Sequence, residues 1–298
     1  SRPRAALPYA NALIDTLAQR NLTGAVGKGY LKRHDAPPPS RCPIPERLSR
    51  AQGALLGQLA GDALGSAVEF LGAHEIRRRH TSGVRDLAPG GTWNLIAGQP
   101  TDDSEMALAL ARSLVTRGGF DRDAVGQAYV AWRQSGPFDI GGTTSKGVAA
   151  IAAGRAAVSD SQANGALMRA SPIGIFAAGD PAKAAQLGER DAALTHPSPV
   201  CRAASRAYCA AIAVGVAGAE PEAMWSAAHA HAGEGAGAST VRATLEAARS
   251  SGPASFEQNN GWVLTALQNA FHWLLDGAPL EEAVIATVAK GGDTDTNA

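Results

Sequence analysis

The stretch LSRAQGALLGQLAGDALGSAVEF, residues 48–70, repeats apolar side chains at helical spacing and predicts a central helix. Its glycines recur at strict four-residue spacing, at Gly53, Gly57, Gly61 and Gly65, which leaves one face of that helix without side chains. Each glycine costs about 1 kcal/mol relative to alanine in a helix interior. We therefore expect another backbone to pack closely against this glycine face and to offset the loss.

Three polar residues of the same stretch, Asp62, Ser66 and Glu69, lie at offsets of four and seven. At about 100° per residue, these offsets place the three side chains on one face of a helix. Acids on a helix usually mark its solvated face. Because this helix is rich in apolar and small residues, we expect it to be central, where an acid needs a metal ion, a water or a substrate as its partner.

Apolar residues recur at helical spacing in three further stretches, residues 106–115, 200–216 and 262–275. Pairs of glycine, or of glycine and proline, stand where these helices should stop, and no stretch shows the alternation of a sustained strand. The predicted fold class is therefore all-α. Residues 1–45 differ from the rest and contain Pro37-Pro38-Pro39, so we predict an N-terminal extension or linker over 1–45 and one folded domain over 46–298.

The composition limits the function. Of 298 residues, 27 are basic and 27 acidic, so the net charge is zero and neither a nucleic acid nor a membrane is the expected partner. The three cysteines, Cys42, Cys201 and Cys209, form no disulfide framework, and we see no secretory signal and no run of eighteen apolar residues. The expected location is the cytoplasm.

Two oxygen-rich clusters stand almost two hundred residues apart: Thr101-Asp102-Asp103-Ser104 and Asp293-Thr294-Asp295-Thr296. Each cluster stands where a helix should begin. Taken alone, either cluster is ordinarily explained as an N-cap with acids in the first turn, where the helix dipole favours them. Side chains at a helix start can converge on one point, and four carboxylates would repel one another unless cations held them. Hard oxygen ligands suit magnesium, manganese or calcium, and four carboxylates could hold two divalent ions.

These clusters and three other segments resemble, in order, the motifs of the ADP-ribosylglycohydrolase family, enzymes that remove ADP-ribose from modified protein side chains. The matching segments are residues 53–69, 101–106, 164–169 with 172–174, 195–196 and 291–296. The resemblance implies a compact orthogonal bundle of helices around a central metal cleft with two divalent cations, Mg²⁺ or Mn²⁺. Compared with the family, the chain ends before a final small-residue helix and has a longer N-terminal part.

The resemblance also assigns roles to residues of this sequence. Glu69 corresponds to an acid near the scissile bond and Asp103 to a second catalytic position, while Asp62 would support or line the site behind Glu69. The implied metal ligands are Thr101, Asp102, Asp103, Asp293, Asp295 and Thr296. The implied substrate-binding residues are Asp62, Gly141, Gly142, Thr143, Asn164, Gly165 and His196.

The resemblance implies metal-dependent hydrolysis of the N-glycosidic bond between ADP-ribose and a modified protein side chain, with arginine as the expected linkage. The partner would be the ADP-ribosylated protein, and a cognate ADP-ribosyltransferase could be a second one. An alternative is an immunity or inhibitor protein that neutralises such a transferase by direct binding through residues 1–45.

Overall fold

The computed structural model describes residues 45–298, and helix α1 begins at the first of them. Thirteen α-helices and one short 3-10 helix, Asn164–Ala166, make up the regular structure of these residues. The α-helices are α1 Pro45–Gly65, α2 Ala73–Arg79, α3 Asp102–Arg117, α4 Arg122–Gln134, α5 Gly142–Ala152, α6 Ser171–Phe176, α7 Pro181–Thr195, α8 Pro199–Ala217, α9 Pro221–His231, α10 Ala236–Ala248, α11 Val263–Asp276, α12 Leu280–Val288 and α13 Thr294–Asn297.

The all-α prediction is confirmed, since strand-like pairing over residues 45–298 is limited to three isolated bridges. One bridge, between Gly72 and Gly291, joins the segment after α1 to the segment before α13. A second bridge joins Ala163 to Trp262. Both bridges lie beside the acidic clusters, so they fix the loops that carry site residues.

Helix α8 lies at the centre of the packing. On one side its small residues pack with α9, α10 and α11 in a core that contains Ala204, Leu245 and Leu267. On the other side, α8 shares a second core with helices α3 to α7, around Met106 and Tyr129. Within the described part of the chain, α8 alone is long and apolar enough to cross a membrane, and most of it is buried in the protein, as in the core helix of a soluble domain.

The predicted central helix ends earlier than its apolar pattern suggests. It stops at Gly65, and residues 66–70 form turns, so the prediction that Asp62, Ser66 and Glu69 share one helix face is wrong. The hydroxyl of Thr294 donates to the Gly65 carbonyl oxygen at 2.7 Å and so satisfies a carbonyl at the end of the helix. Five residues later Phe70 takes a φ of 66°, and its N–H donates to the Gly292 carbonyl at 2.9 Å. These contacts direct the chain back towards the second acidic cluster.

The glycine face packs closely only in its last two turns. A Cβ on Gly61 would lie 2.5 Å from the carbonyl carbon of Ala298, and one on Gly65 would lie 2.3 Å from the Thr294 carbonyl oxygen. Nothing lies within 4 Å of a Cβ at Gly53, and Gly57 meets a Leu280 methyl at an ordinary 3.5 Å. The expected backbone approach is thus confirmed for Gly61 and Gly65, and it is wrong for Gly53 and Gly57.

The predicted N-terminal extension lies, apart from residue 45, outside the described residues. Residue 45 is already the first residue of α1. The extension and its boundary therefore stay a prediction.

Replacement of Gly65 by alanine is expected to reduce the free energy of unfolding by about 1–3 kcal/mol, because the added methyl overlaps the backbone of α13. The matched control is Gly53→Ala in the same helix, where the methyl meets open space and is expected to stabilise by up to about 1 kcal/mol. Urea unfolding of both variants measures the difference. Equal effects of the two substitutions would show that α13 does not pack against Gly65.

Candidate active site

The two acidic clusters, far apart in the sequence, meet in space. The hydroxyl of Thr101 lies 3.2 Å from an Asp295 carboxylate oxygen, and the hydroxyl of Thr296 lies 3.4 Å from a carboxylate oxygen of Asp103. Each cluster opens a helix, with Thr101 at the N-cap of α3 and Asp293 at the N-cap of α13. The side chains around these two helix starts therefore face a common space.

Asp62 of α1 holds the start of α3 in place. Its carboxylate accepts hydrogen bonds from the backbone N–H of Thr101 at 2.9 Å and of Ser104 at 3.0 Å, and from both of their hydroxyls. An acid from another helix thus takes the place of a local N-cap side chain. Asp62 lies behind the cleft, with both carboxylate oxygens occupied by α3.

The start of α13 depends on two glycines with positive φ, Gly291 at 76° and Gly292 at 78°. A Cβ on Gly292 would lie 2.3 Å from the Phe256 carbonyl oxygen, and one on Gly291 would lie 2.6 Å from that of Leu71. The next residue, Asp293, accepts a hydrogen bond from the side-chain amide of Asn164 at 2.7 Å. The glycine pair therefore turns the chain so that Asp293 faces the cleft.

Glu69 reaches the same space from the turn after α1. Trp93 Nε1 donates to its Oε2 at 2.7 Å, which fixes the carboxyl group, and only 3% of the residue is exposed. Carboxylate oxygens of Glu69, Asp139 and Asp295 lie within 4.8 Å of one another, close enough to share one metal ion. Glu69 thus lies among the candidate metal ligands.

Asp139 was not predicted from the sequence. It lies in the loop between α4 and α5, with a carboxylate oxygen close to those of Glu69 and Asp295. The only sequence signal is one acid between two breaker pairs, Gly136-Pro137 and Gly141-Gly142.

Glu69, Asp139, the four aspartates of the two clusters and most of the other predicted binding residues line one cavity of about 220 Å³. Asp62, also predicted to bind substrate, does not line it, because the start of α3 occupies its carboxylate. Thr101, predicted as a metal ligand, does not line it either. Gly141, Gly142 and Thr143 lie at the start of α5, and Asn164, Gly165 and His196 form another wall. Sequence reasoning also missed the remaining lining residues. These are Phe70, Thr144, Ala163, Met168, Asn260 and Gly261.

Burial and mutual repulsion dominate the electrostatics of this cavity. Burial raises the pKa of Asp102, Asp103 and Asp295 well above the usual range, and neighbouring carboxylates raise it further. Burial, followed by the charge of Asp139, raises the pKa of Glu69 to about 8. In the same way burial, followed by Asp293, raises the pKa of Asp139 to about 6.

Within residues 45–298, none of these carboxylates forms an ion pair with a lysine, arginine or histidine. Buried charge is stable only when it is paired, protonated or bound to metal. The donor atoms around the cleft are carboxylate and hydroxyl oxygens, the set that hard divalent cations prefer. The residues present therefore fit a divalent metal centre.

Comparison with known proteins agrees with this chemistry. Residues 43–298 match the family model for ADP-ribosylglycohydrolase. The ADP-ribosyl-(dinitrogen reductase) glycohydrolase of Rhodospirillum rubrum is 32% identical over 256 residues, covering 83% of this chain and 81% of that protein. ADP-ribosylarginine hydrolase Tri1 of Pseudomonas putida is 42% identical over 106 residues, which cover 33% of this chain and 27% of that protein.

A solved structure titled ADP-ribosylglycohydrolase-related protein complex superposes with a TM-score of 0.72 and 29% identity, covering 85% of each chain. The family model covers residues 43–298, and the Rhodospirillum rubrum relative and the solved structure each cover more than four fifths of the chain. The protein therefore belongs to the ADP-ribosylglycohydrolase family.

Proposed function

We propose that this protein hydrolyses the bond between ADP-ribose and an arginine side chain of a modified protein. The observation that carries the proposal is a single cleft in which buried acids, without a basic partner among residues 45–298, lie beside a glycine-rich helix start. Relatives named as hydrolases of ADP-ribosylated dinitrogen reductase and of ADP-ribosylarginine support the substrate class and the linkage.

The two walls of the cleft suit the two ends of ADP-ribose. The first N–H groups of a helix have no acceptor within that helix, so the start of α5, at Gly142 and Thr143, suits phosphate oxygens. Gly141 and Gly142 place no side chain there, which lets a ligand approach the backbone. The acids on the opposite side suit the ribose that carries the scissile bond.

Two divalent cations, Mg²⁺ or Mn²⁺, would be held by Asp102, Asp103, Asp293 and Asp295 with the hydroxyls of Thr101 and Thr296. Glu69 and Asp139 lie close enough to Asp295 to complete that set. When bound, such cations would orient the paired hydroxyls of a ribose and polarise a nearby water.

Glu69 carries the proton transfer in this proposal. Hydrolysis breaks the bond from the anomeric carbon to the guanidinium nitrogen, and a water oxygen forms the new bond to that carbon. The guanidine nitrogen leaves with the electron pair of the broken bond. The Glu69 carboxylate takes a proton from the attacking water and passes it to that nitrogen, so the products are ADP-ribose and a free arginine guanidinium. Trp93 keeps the carboxyl group aimed into the cleft. Asp103 lies in the same cleft, beside Thr296, where it orients the ribose.

The inhibitor alternative rests on residues 1–45, which lie almost wholly outside the described part of the chain, and the hydrolase names of the relatives do not favour it. We retain the modified protein as the partner. A cytoplasmic location remains our proposal, supported by two buried free thiols, Cys201 and Cys209.

The metal-free protein is expected to lose stability as pH rises from about 4 towards 8. A carboxyl group whose pKa is raised in the folded state binds more protons folded than unfolded, so the free energy of unfolding falls as pH rises through that window. Mg²⁺ or Mn²⁺ should therefore raise the melting temperature more at pH 8 than at pH 5. At 100 times its Kd, one bound ion contributes about 2.7 kcal/mol.

Melting curves with and without metal measure this effect for the wild type, for Asp103→Asn with Asp295→Asn, and for Asp123→Asn. Asp123 is an exposed acid outside the cleft and serves as the matched control. The proposal fails if metal raises the melting temperature of the Asp103→Asn, Asp295→Asn double variant as much as that of Asp123→Asn. It also fails if the melting temperature of the metal-free protein increases between pH 5 and pH 8.

Release of ADP-ribose from an arginine-modified protein is expected to fall about 10²- to 10⁴-fold in Glu69→Gln, the range for removal of a general acid or base. The rate of release should fall by a comparable factor in Asp103→Asn and in Asp295→Asn, whereas Asp123→Asn should keep wild-type turnover. Liquid chromatography of the released ADP-ribose measures all four variants. Wild-type turnover in Glu69→Gln would remove Glu69 from the mechanism.

A serine-modified protein, assayed beside the arginine-modified one, tests the linkage. Faster release from arginine supports the proposal, and release from serine alone would contradict the arginine assignment while leaving the cleft chemistry in place.

A further inference from the structure

His196 lies in the wall of the cleft, and one of its two ring nitrogens is unpaired within the described part of the chain. The residue is fully buried, and the unpaired nitrogen is Nε2. A Cβ added to Gly165 would lie 3.1 Å from that Nε2 and 2.6 Å from the Thr144 hydroxyl oxygen. The glycine therefore keeps the space in front of Nε2 open.

The other ring nitrogen, Nδ1, lies 2.8 Å from the hydroxyl oxygen of Thr195. The same hydroxyl oxygen accepts a hydrogen bond from Arg169 Nη2 at 2.9 Å. A guanidinium can only donate, so Arg169 occupies a lone pair of the hydroxyl and cannot accept its proton. The second lone pair of the oxygen could accept from a protonated Nδ1, but the hydroxyl proton would then have no acceptor among residues 45–298. Buried hydroxyls are hydrogen-bonded, so we take Nδ1 as the acceptor of that proton.

Arg169 is held so that it cannot turn away from Thr195. The guanidinium is fully buried, forms an ion pair with Asp191 at 2.9 Å, and donates to the Gly165 carbonyl at 3.1 Å. Tyr129 donates to the second Asp191 oxygen at 2.7 Å, and Arg169 also lies over the Tyr129 ring, 4.5 Å from its centre. A buried arginine with this many partners has a fixed orientation.

We infer that Arg169, acting through Thr195, fixes His196 as the tautomer with its proton on Nε2, so that His196 donates one hydrogen bond to an acceptor oxygen of a ligand in the cleft. Because Nδ1 accepts the Thr195 proton, Nε2 must carry the ring proton of a neutral imidazole. Burial and the neighbouring Arg169 charge lower the pKa of His196 to about 3, which agrees with a neutral ring. Arg169 and Thr195 are positioning residues.

The ligand part of this inference rests on the proposed function, since the acceptor would be a phosphate or ribose hydroxyl oxygen of ADP-ribose. A neutral Nε2–H donor favours a ligand that offers an acceptor at that point. A ligand group that can only donate would leave two donors facing each other, which costs binding free energy.

The tautomer can be measured in the ligand-free, full-length protein by NMR of ¹⁵N-labelled histidine, with the His196 signals assigned by their loss in His196→Gln. Wild type and Thr195→Ser are expected to show a protonated Nε2 and an unprotonated Nδ1. In Thr195→Val, which keeps the shape but lacks the hydroxyl, the proton should move to Nδ1 or exchange between both nitrogens. A proton on Nδ1 in the wild type, or a wild-type pattern in Thr195→Val, would overturn the inference.

Enzyme kinetics test whether the tautomer affects ligand binding. Comparison of the variants distinguishes that effect from misfolding and from failure of the proposed function. The KM for an ADP-ribosylated protein should rise about 3- to 10-fold in Thr195→Val and return in Thr195→Ser, with kcat nearly unchanged, which is the effect of one neutral hydrogen bond. If Thr195→Val does not fold, the wild-type and Thr195→Ser spectra still decide the tautomer. If the wild type shows no hydrolysis, the proposed function fails while the spectra test the tautomer independently.

Discussion

Buried carboxylates that face one another, with no basic partner in the described part of the chain, set the conditions for the rest of this structure. Lost hydration and, after it, mutual repulsion raise the pKa of Glu69, Asp102 and Asp103. Stability alone would favour apolar residues at these positions, or an arginine partner for each acid. Asp191, elsewhere in the fold, has such a partner in Arg169. The presence of the cleft acids in an open cavity indicates that they serve a ligand.

The surrounding fold fixes the helix starts that carry these acids through hydrogen bonds and close backbone packing. Asp62 uses its carboxylate to hold the start of α3, and the Thr294 hydroxyl ends α1 at Gly65. Glycines at 65 and 292 allow backbone to approach backbone where a methyl group would overlap it. The site is therefore built from helix ends, where consecutive side chains can converge and where free backbone groups already favour ions.

Much of this arrangement could be predicted from the sequence, because helical periodicity and paired oxygen-rich helix starts are local signals. The helix class and the two clusters at residues 101–104 and 293–296 were found in this way, and the structure brings those clusters together. The end of α1 could not be predicted, since it depends on contacts with Thr294 and Gly292 more than 200 residues away. Asp139 has no other acid near it in the sequence, and Arg169 contacts Thr195 from 26 residues away, so both placements follow from tertiary packing.

The central claim is that the converging acids of α3 and α13 bind divalent cations. Anomalous diffraction from crystals soaked in Mn²⁺, collected at the manganese absorption edge, tests it most directly. The account predicts anomalous peaks at bonding distance from carboxylate oxygens of both Asp103 and Asp295. Saturating Mn²⁺ with no peak between these two residues would contradict it.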